Sequence, residues 1–345
     1  MLTAYLLSYA ASFLQALFLP MLSLYASTLG LSEAEAGVIA GVGTFLYVPV
    51  SLSSEIIARR YGYRSPMAAA LFTIAAGYAF LSVSKTSLQL LVAASLVSFG
   101  YGIFWPSVEK AVSASGGSAN TFSISWSAGS LTGAIVISPL LQLGFEAIYI
   151  TCSLTALSLT PLPLKLAKRS LQNEGAVKAG RLWHSWILSV GYSTSAGGVL
   201  TYYPLLAERL GLPGYSVSLV VFIMMAARTA TFYILKETKP PAVLSIPLLL
   251  AIAATPFNTS VTVHAILAAA AGAGQGIIYT LALEEIFNAK GAYTSLFEAF
   301  IGLGYSVGPL FGSGAKMVGF EPLPASAAAA SLLSIPGLRK KEVRL

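Results

Sequence analysis

Twelve stretches of about 17 to 25 residues, nearly free of charge, follow one another along this chain. They lie near residues 3–27, 34–57, 66–84, 88–112, 119–142, 145–167, 183–207, 214–235, 241–257, 261–287, 292–315 and 320–337. A helix of about 20 apolar residues crosses the hydrocarbon core of a bilayer. Lipid offers backbone amides no partner, so each spanning segment must satisfy its own hydrogen bonds as a helix. The pattern therefore predicts an all-α membrane protein with twelve transmembrane helices. Composition agrees: 56% of residues are apolar and 10% charged, whereas a soluble domain carries about a quarter charged residues. Residues 1–20 lack the basic start of a cleavable signal, and the first run continues to Ser27, so it reads as a retained first helix.

The net charge is +7, but the basic residues sit in breaks between apolar runs and form no stripe, which argues against nucleic acid as a partner. They set topology instead, because cytoplasmic loops hold the excess of lysine and arginine. With the N-terminus inside, one side collects Arg59, Arg60, Arg64, Lys110, Lys165, Lys168, Arg169, Lys178, Arg181, Lys236, Lys239, Lys290, Arg339, Lys340, Lys341 and Arg344, sixteen of the 20 basic residues. The other side keeps Lys85, Arg209 and Lys316. This predicts a multi-pass plasma-membrane protein with both termini cytoplasmic. The longest polar segment, 168–182, reads as a cytoplasmic linker between a bundle at 1–167 and a second at 183–345, with membrane lipid near its charges. Cys152 is the single cysteine and lies inside an apolar run, so neither a disulfide nor a cysteine metal site is available. It is expected to be a small core residue.

The chain repeats itself. Gly144-Phe145-Glu146 returns as Gly319-Phe320-Glu321, and Gly129/Gly133 return as Gly304/Gly308, all at one offset (319 − 144 = 304 − 129 = 175). Gly100, Gly102 and Ile103 match Gly274, Gly276 and Ile277 at 174, and Leu29-Gly30-Leu31 matches Leu210-Gly211-Leu212 at 181. Six helices per copy is an even number, so the copies share one orientation and relate by a pseudo-two-fold axis along the membrane normal, a parallel repeat. The Gly-x-x-x-Gly pairs are read as close helix-packing positions.

With twelve helices, a 6+6 parallel repeat, a basic central loop and cytoplasmic ends, the chain resembles the major facilitator superfamily over essentially its whole length. Pro20 before Leu29-Gly30-Leu31, the run Gly100-Tyr101-Gly102-Ile103-Phe104-Trp105-Pro106 and Gly308-Pro309 agree with that resemblance. The family's loop between helices 2 and 3 reads G-x-x-x-D-R-x-G-R-R. Here Arg60, Gly62 and Arg64 fit, Glu55 replaces the glycine, Arg59 the aspartate and Tyr63 a basic residue. The chain has no aspartate. In the family this loop latches the two halves on the cytoplasmic side. Glu55 and Arg59, four apart, are placed to pair with each other, and Glu109 resembles the acidic residue that would receive Arg60 or Arg64.

Two ionisable side chains fall well inside the apolar runs, Arg228 and Glu298, and such residues mark function because a charge there is expensive. Counting from the helix ends puts Arg228 about 10 Å and Glu298 about 9 Å from the cytoplasmic boundary. The matched depths predict an intramembrane ion pair that either couples to switching or only fastens two helices. The resemblance implies a cavity lined by helices 1, 4, 7 and 10, which selects Gln15, Tyr101, Trp105, Tyr192, Ser195, Gln275 and Tyr279, a neutral and aromatic set. His184 and His264 fall near opposite faces and cannot share a metal, and each is expected at an interface.

The function expected is secondary active transport of a small organic solute by alternating access, coupled to protons, with export favoured over uptake. A facilitative uniporter or uptake permease, and a non-transporting receptor or scaffold of the same fold, are the alternatives. No catalytic cluster points to an enzyme, no cofactor is implied, and the oligomeric state is left open with a monomer sufficient.

Overall fold

The computed structural model describes residues 1–117, 119–166, 179–235, 242–288 and 294–342, and among them every regular element is helical. The α-helices are α1 (Leu2–Thr28), α2 (Glu33–Phe45), α3 (Tyr47–Tyr61), α4 (Arg64–Val83), α5 (Ser87–Ala114), α6 (Ala119–Leu141), α7 (Phe145–Leu159), α8 (Trp183–Arg209), α9 (Ser216–Ile234), α10 (Ser245–Leu250), α11 (Val261–Asn288), α12 (Thr294–Met317) and α13 (Pro322–Glu342). Short 3-10 turns cover Leu162–Lys165, Ala179–Leu182, Ala242–Leu244 and Ala251–Phe257. Each apolar run coincides with one helical unit: α2 and α3 share the second, and α10 with its flanking turns forms the ninth. Most of the expected linker, with Lys168, Arg169 and Lys178, lies outside the described residues, as do Lys236, Lys239, Lys290 and Arg344.

Eight of these units are long and apolar enough to cross a membrane, and the protein is an integral multi-pass membrane protein. The ninth and twelfth are shorter apolar helices. α8 and α12 reach 27 and 24 residues and are long enough to span, but are not among those eight.

Proline places the irregularities. Pro49 has no N–H and its ring collides with the carbonyl four residues back, that of Phe45, and the second unit breaks there between α2 and α3. Pro106 in α5 likewise leaves the Gly102 carbonyl without its helical donor, and the Ser51 hydroxyl of α3 donates to it at 3.2 Å. Pro309 in α12 frees the Tyr305 carbonyl, which accepts from the Thr44 hydroxyl of α2 at 3.3 Å. The last of these bonds joins the two halves of the chain.

The repeat is visible in the packing. α6 crosses α1 so closely that a β-carbon on Gly129 would strike the Tyr9 carbonyl oxygen, and one on Gly133 would lie 2.6 Å from that of Phe13. In the second copy a β-carbon on Gly304 would strike the Val190 carbonyl of α8, and one on Gly308 that of Thr194. The partners obey the offset found for the early helices (190 − 9 = 194 − 13 = 181), so the small residues serve close helix approach in both halves.

Between the halves, α12 packs against α2 and α3, α6 against α9, and α1 against α8. One apolar core runs through the first half and on into Leu200, Leu206, Val221 and Met224 of the second. These residues lie on the side away from the chain ends, here called the distal face. On the terminal face, where the chain ends lie, Trp186, Tyr279, Ile286 and Phe297 form a separate core. The halves are thus fused distally by apolar packing. Cys152 is buried, as expected.

Candidate functional site

A cavity of about 120 Å³ lies between the halves. Five of the seven expected cavity residues line it: Gln15, Tyr101, Trp105, Tyr192 and Tyr279. Trp105 Nε1 donates to Gln15 Oε1 at 2.9 Å, so two predicted residues fix each other on one wall. Ser195 and Gln275 are not part of the lining. Gln275 Nε2 donates to Ser195 Oγ at 3.0 Å, and both are buried between α8 and α11 of one half. That bond engages the Gln275 amide nitrogen, while its Oε1 is buried without a hydrogen-bond partner.

Arg228 and Glu298 both line the cavity, but the ion pair expected between them is not formed. Arg228 Nη1 donates to the Tyr192 hydroxyl at 2.9 Å, and its guanidinium carbon lies 5.4 Å from the Trp126 ring centroid and 5.7 Å from that of Tyr192. Glu298 accepts a hydrogen bond from the Tyr47 hydroxyl across the two halves. Matching depth did not bring the charges together because α8, packed against both α9 and α12, presents Tyr192 to Arg228.

Glu109 is also placed differently from expectation. It meets neither Arg60 nor Arg64; its carboxyl is a direct electrostatic neighbour of Glu298. Glu109 Oε2 is buried without a hydrogen-bond donor. The terminal-face charges are arranged around Glu55, which takes Arg59 at 3.3 Å and Lys110. Arg60 instead lies over the Tyr61 ring, 5.3 Å from its centroid. Nearby, Ser54 Oγ donates to Ser295 Oγ at 3.1 Å between the halves.

Aromatic rings form the terminal end of the cavity. Tyr279 stands at their centre, 5.0 Å from Tyr192, 4.8 Å from Phe232 and 6.1 Å from Trp126, centroid to centroid. Sequence reasoning missed Tyr47, Trp126 and Tyr305, all cavity residues. Two signals existed: Pro49 marks the kink that carries Tyr47, and Trp126 is a tryptophan deep in a span, away from the interfaces this residue prefers.

The distal face carries its own charge network. Arg209 of α8 reaches Glu33 of α2 at 3.2 Å and Glu321 at 2.5 Å, and Lys316 of α12 reaches Glu33 at 2.9 Å. Burial alone would lower the Arg209 pKa; the hydrogen bond to Glu321 and the charges of Glu33 and Glu321 reverse that and raise it. Ser27 of α1 adds a hydrogen bond to Glu208 at 2.9 Å. These contacts tie the halves where the apolar core already joins them. The two histidines are buried within the protein: His184 pairs with Glu285, and His264 sits between the Tyr203 hydroxyl at 3.1 Å and the Asn258 carbonyl at 2.9 Å.

Two six-helix halves in parallel repeat, closing on a polar and aromatic cavity within the membrane, define a solute-carrier architecture. The chain belongs to the Major Facilitator Superfamily, whose family model matches residues 1–309, and it is a membrane transporter by that membership. Similar solved structures are those of transporters. The nucleoside transporter NupG shares 14% identity at a TM-score of 0.75, over 98% of this chain and 97% of that one. A bacterial homologue of the human lysosomal transporter Spinster, inward-facing and unoccupied, shares 11% at 0.71, over 98% and 91%. The human organic anion transporter MFSD10 (TETRAN) shares 14% at 0.69, over 98% and 97%. At such identities the likeness is one of fold. No curated protein sequence matches the chain.

Proposed function

We propose that this protein is a proton-coupled secondary transporter of a small organic solute, working in the plasma membrane with both chain ends cytoplasmic and rocking its halves about the central cavity. The observation that carries the proposal is the carboxyl cluster at the seam: Glu298 of α12 bonded to Tyr47 of α3 and set against Glu109 of α5. Among the described residues no cation lies within 4 Å of either carboxyl. Two anions so placed repel in a low-dielectric site. One proton between them turns repulsion into a hydrogen bond, and because they belong to different halves, gaining or losing that proton favours closing or parting the terminal side. The aromatic walls suit a solute with a planar apolar body. The basic residues of the terminal face support the orientation.

The test is solute-driven proton movement in proteoliposomes, read by a pH dye trapped in the lumen, for wild type and Glu298→Gln. Wild type should move protons with its solute, and the variant should fold in normal yield yet lose the coupled proton flux. An unchanged pH dependence in Glu298→Gln would remove the coupling role. Solute binding without any flux would favour the receptor reading.

A further inference from the structure

Arg228 is 2% exposed, and a guanidinium stays charged at any pH a protein meets. Among the described residues no carboxylate lies within 4 Å of it. Its neighbours are neutral: the hydroxyls of Tyr192 and Tyr305 and the faces of Trp126 and Tyr192. Nε is buried with no hydrogen-bond partner, although the residue lines the cavity. A buried cation without a counterion is costly, and here it cannot be relieved by losing a proton. The cavity thus presents a buried, permanently charged cation to whatever enters it.

The chemistry around that requirement is specific. A guanidinium edge recognises planar oxyanions in two-point fashion. The Tyr279, Trp126 and Tyr192 rings beside it offer stacking faces and edges. A volume of about 120 Å³ approaches that of a cavity that holds one benzene ring, about 150 Å³. The acidic groups that also line the cavity, Glu109 and Glu298, lie more than 4 Å from the guanidinium, and Tyr47 already engages Glu298.

We propose that the solute is an organic monoanion built on about one aromatic ring, its carboxylate or related oxyanion bound by Arg228 and its ring by the Trp126–Tyr192–Tyr279 group. The inference rests on reading the cavity as the solute site. It also gives the proton a charge-balancing role: a monoanion on Arg228 and a proton on the Glu109–Glu298 pair enter together as a neutral load, and no net charge crosses the low-dielectric seam with them.

The experiment is ligand-dependent thermal stabilisation of the purified protein with benzoate, neutral benzamide and cationic benzylammonium, which match in shape, and with phenylacetate and benzenesulfonate as further anions. Benzoate should raise the melting temperature saturably, well above either relative. In Arg228→Gln the dissociation constant for benzoate should rise about 30-fold or more, and Arg228→Lys should recover only part of the loss. Unliganded melting curves and elution profiles of the variants establish that they fold. A Tyr192→Phe variant, which keeps the guanidinium and frees Nη1, should retain benzoate binding and guards against an unfolded Arg228→Gln. The proposal is overturned if benzylammonium or benzamide stabilises as well as benzoate, if Arg228→Gln keeps the benzoate shift, or if benzoate, phenylacetate and benzenesulfonate all leave the melting temperature unmoved. Binding is read without flux, so a protein that binds benzoate but moves no protons keeps this inference and loses the proton-coupled reading. One that transports a cation does the reverse.

Discussion

The Tyr47 hydroxyl on α3 donates to the Glu298 carboxylate on α12, so one side-chain hydrogen bond crosses the seam between the two halves inside the cavity. Its position follows from a break in the chain: Pro49 cannot support the helix begun at Glu33, and the new helix starts with Tyr47 turned to the cavity. Gly302, one turn beyond Glu298, leaves space for the ring, since a β-carbon there would strike the Tyr47 ring.

Removing that bond should loosen the terminal side. A cysteine at Ser54, 2% exposed against α12, reports on parting of the halves, and Cys152 adds little background because it is buried. A hydrogen bond to a charged group contributes about 1.5 kcal/mol or more, so Tyr47→Phe is expected to speed maleimide labelling of this cysteine about tenfold. An unchanged rate would mean the bond does not hold the seam.

The same reporter gives the sign of the pH effect. Protonation joins Glu109 to Glu298 and closes the seam, so labelling in the otherwise unaltered protein should slow as pH falls and quicken as it rises. Glu109→Gln supplies a permanent neutral donor to Glu298. Its labelling should be slow and independent of pH, and a pH response that survives in this variant would locate the titrating group elsewhere.

On the distal face, Glu33→Gln removes the anion shared by Arg209 and Lys316. These side chains are partly exposed, so the loss should be about 1 kcal/mol or less and salt-sensitive. The melting temperature of the variant is expected to fall below wild type at low ionic strength and to converge with it near 1 M salt. A gap that persists in high salt would argue for packing rather than charge.

Two glycines separate packing from flexibility. At Gly133 a β-carbon meets the Phe13 carbonyl oxygen at 2.6 Å and Ala16 at 2.8 Å, whereas at Gly314 in α12 nothing lies within 4 Å. Gly133→Ala should destabilise by about 1 to 3 kcal/mol. Gly314→Ala should be neutral or stabilising by up to about 1 kcal/mol, the helix propensity gained. Equal melting temperatures for the two variants would contradict the close α1–α6 approach.

Much of the cavity was legible in the sequence. Gln15, Tyr101, Trp105, Tyr192 and Tyr279 were selected once the helices lining the centre were known from the family resemblance. Ser195 and Gln275, selected with them, lie outside that lining: each found the other across the α8–α11 contact, and a sequence does not say that two polar groups on separate helices will meet. Arg228 and Glu298 were found because charge inside an apolar run stands out, and their depths followed from helical rise. Their partners did not, because rise per residue fixes depth and leaves rotation about the helix axis undetermined.

The sequence by itself determined the helical fold, the twelve apolar runs, the repeat with its glycine seams and the concentration of basic residues on one side. Those properties are written in apolar length, in spacing along one helix and in charge between helices, all of which lipid and backbone hydrogen bonding read segment by segment. Only the tertiary structure decided that Glu298 faces Tyr47 and Glu109 while Arg228 is left among aromatic rings. Such pairings depend on which helix stands between two others and which way each is turned, and these are settled by packing across the whole bundle.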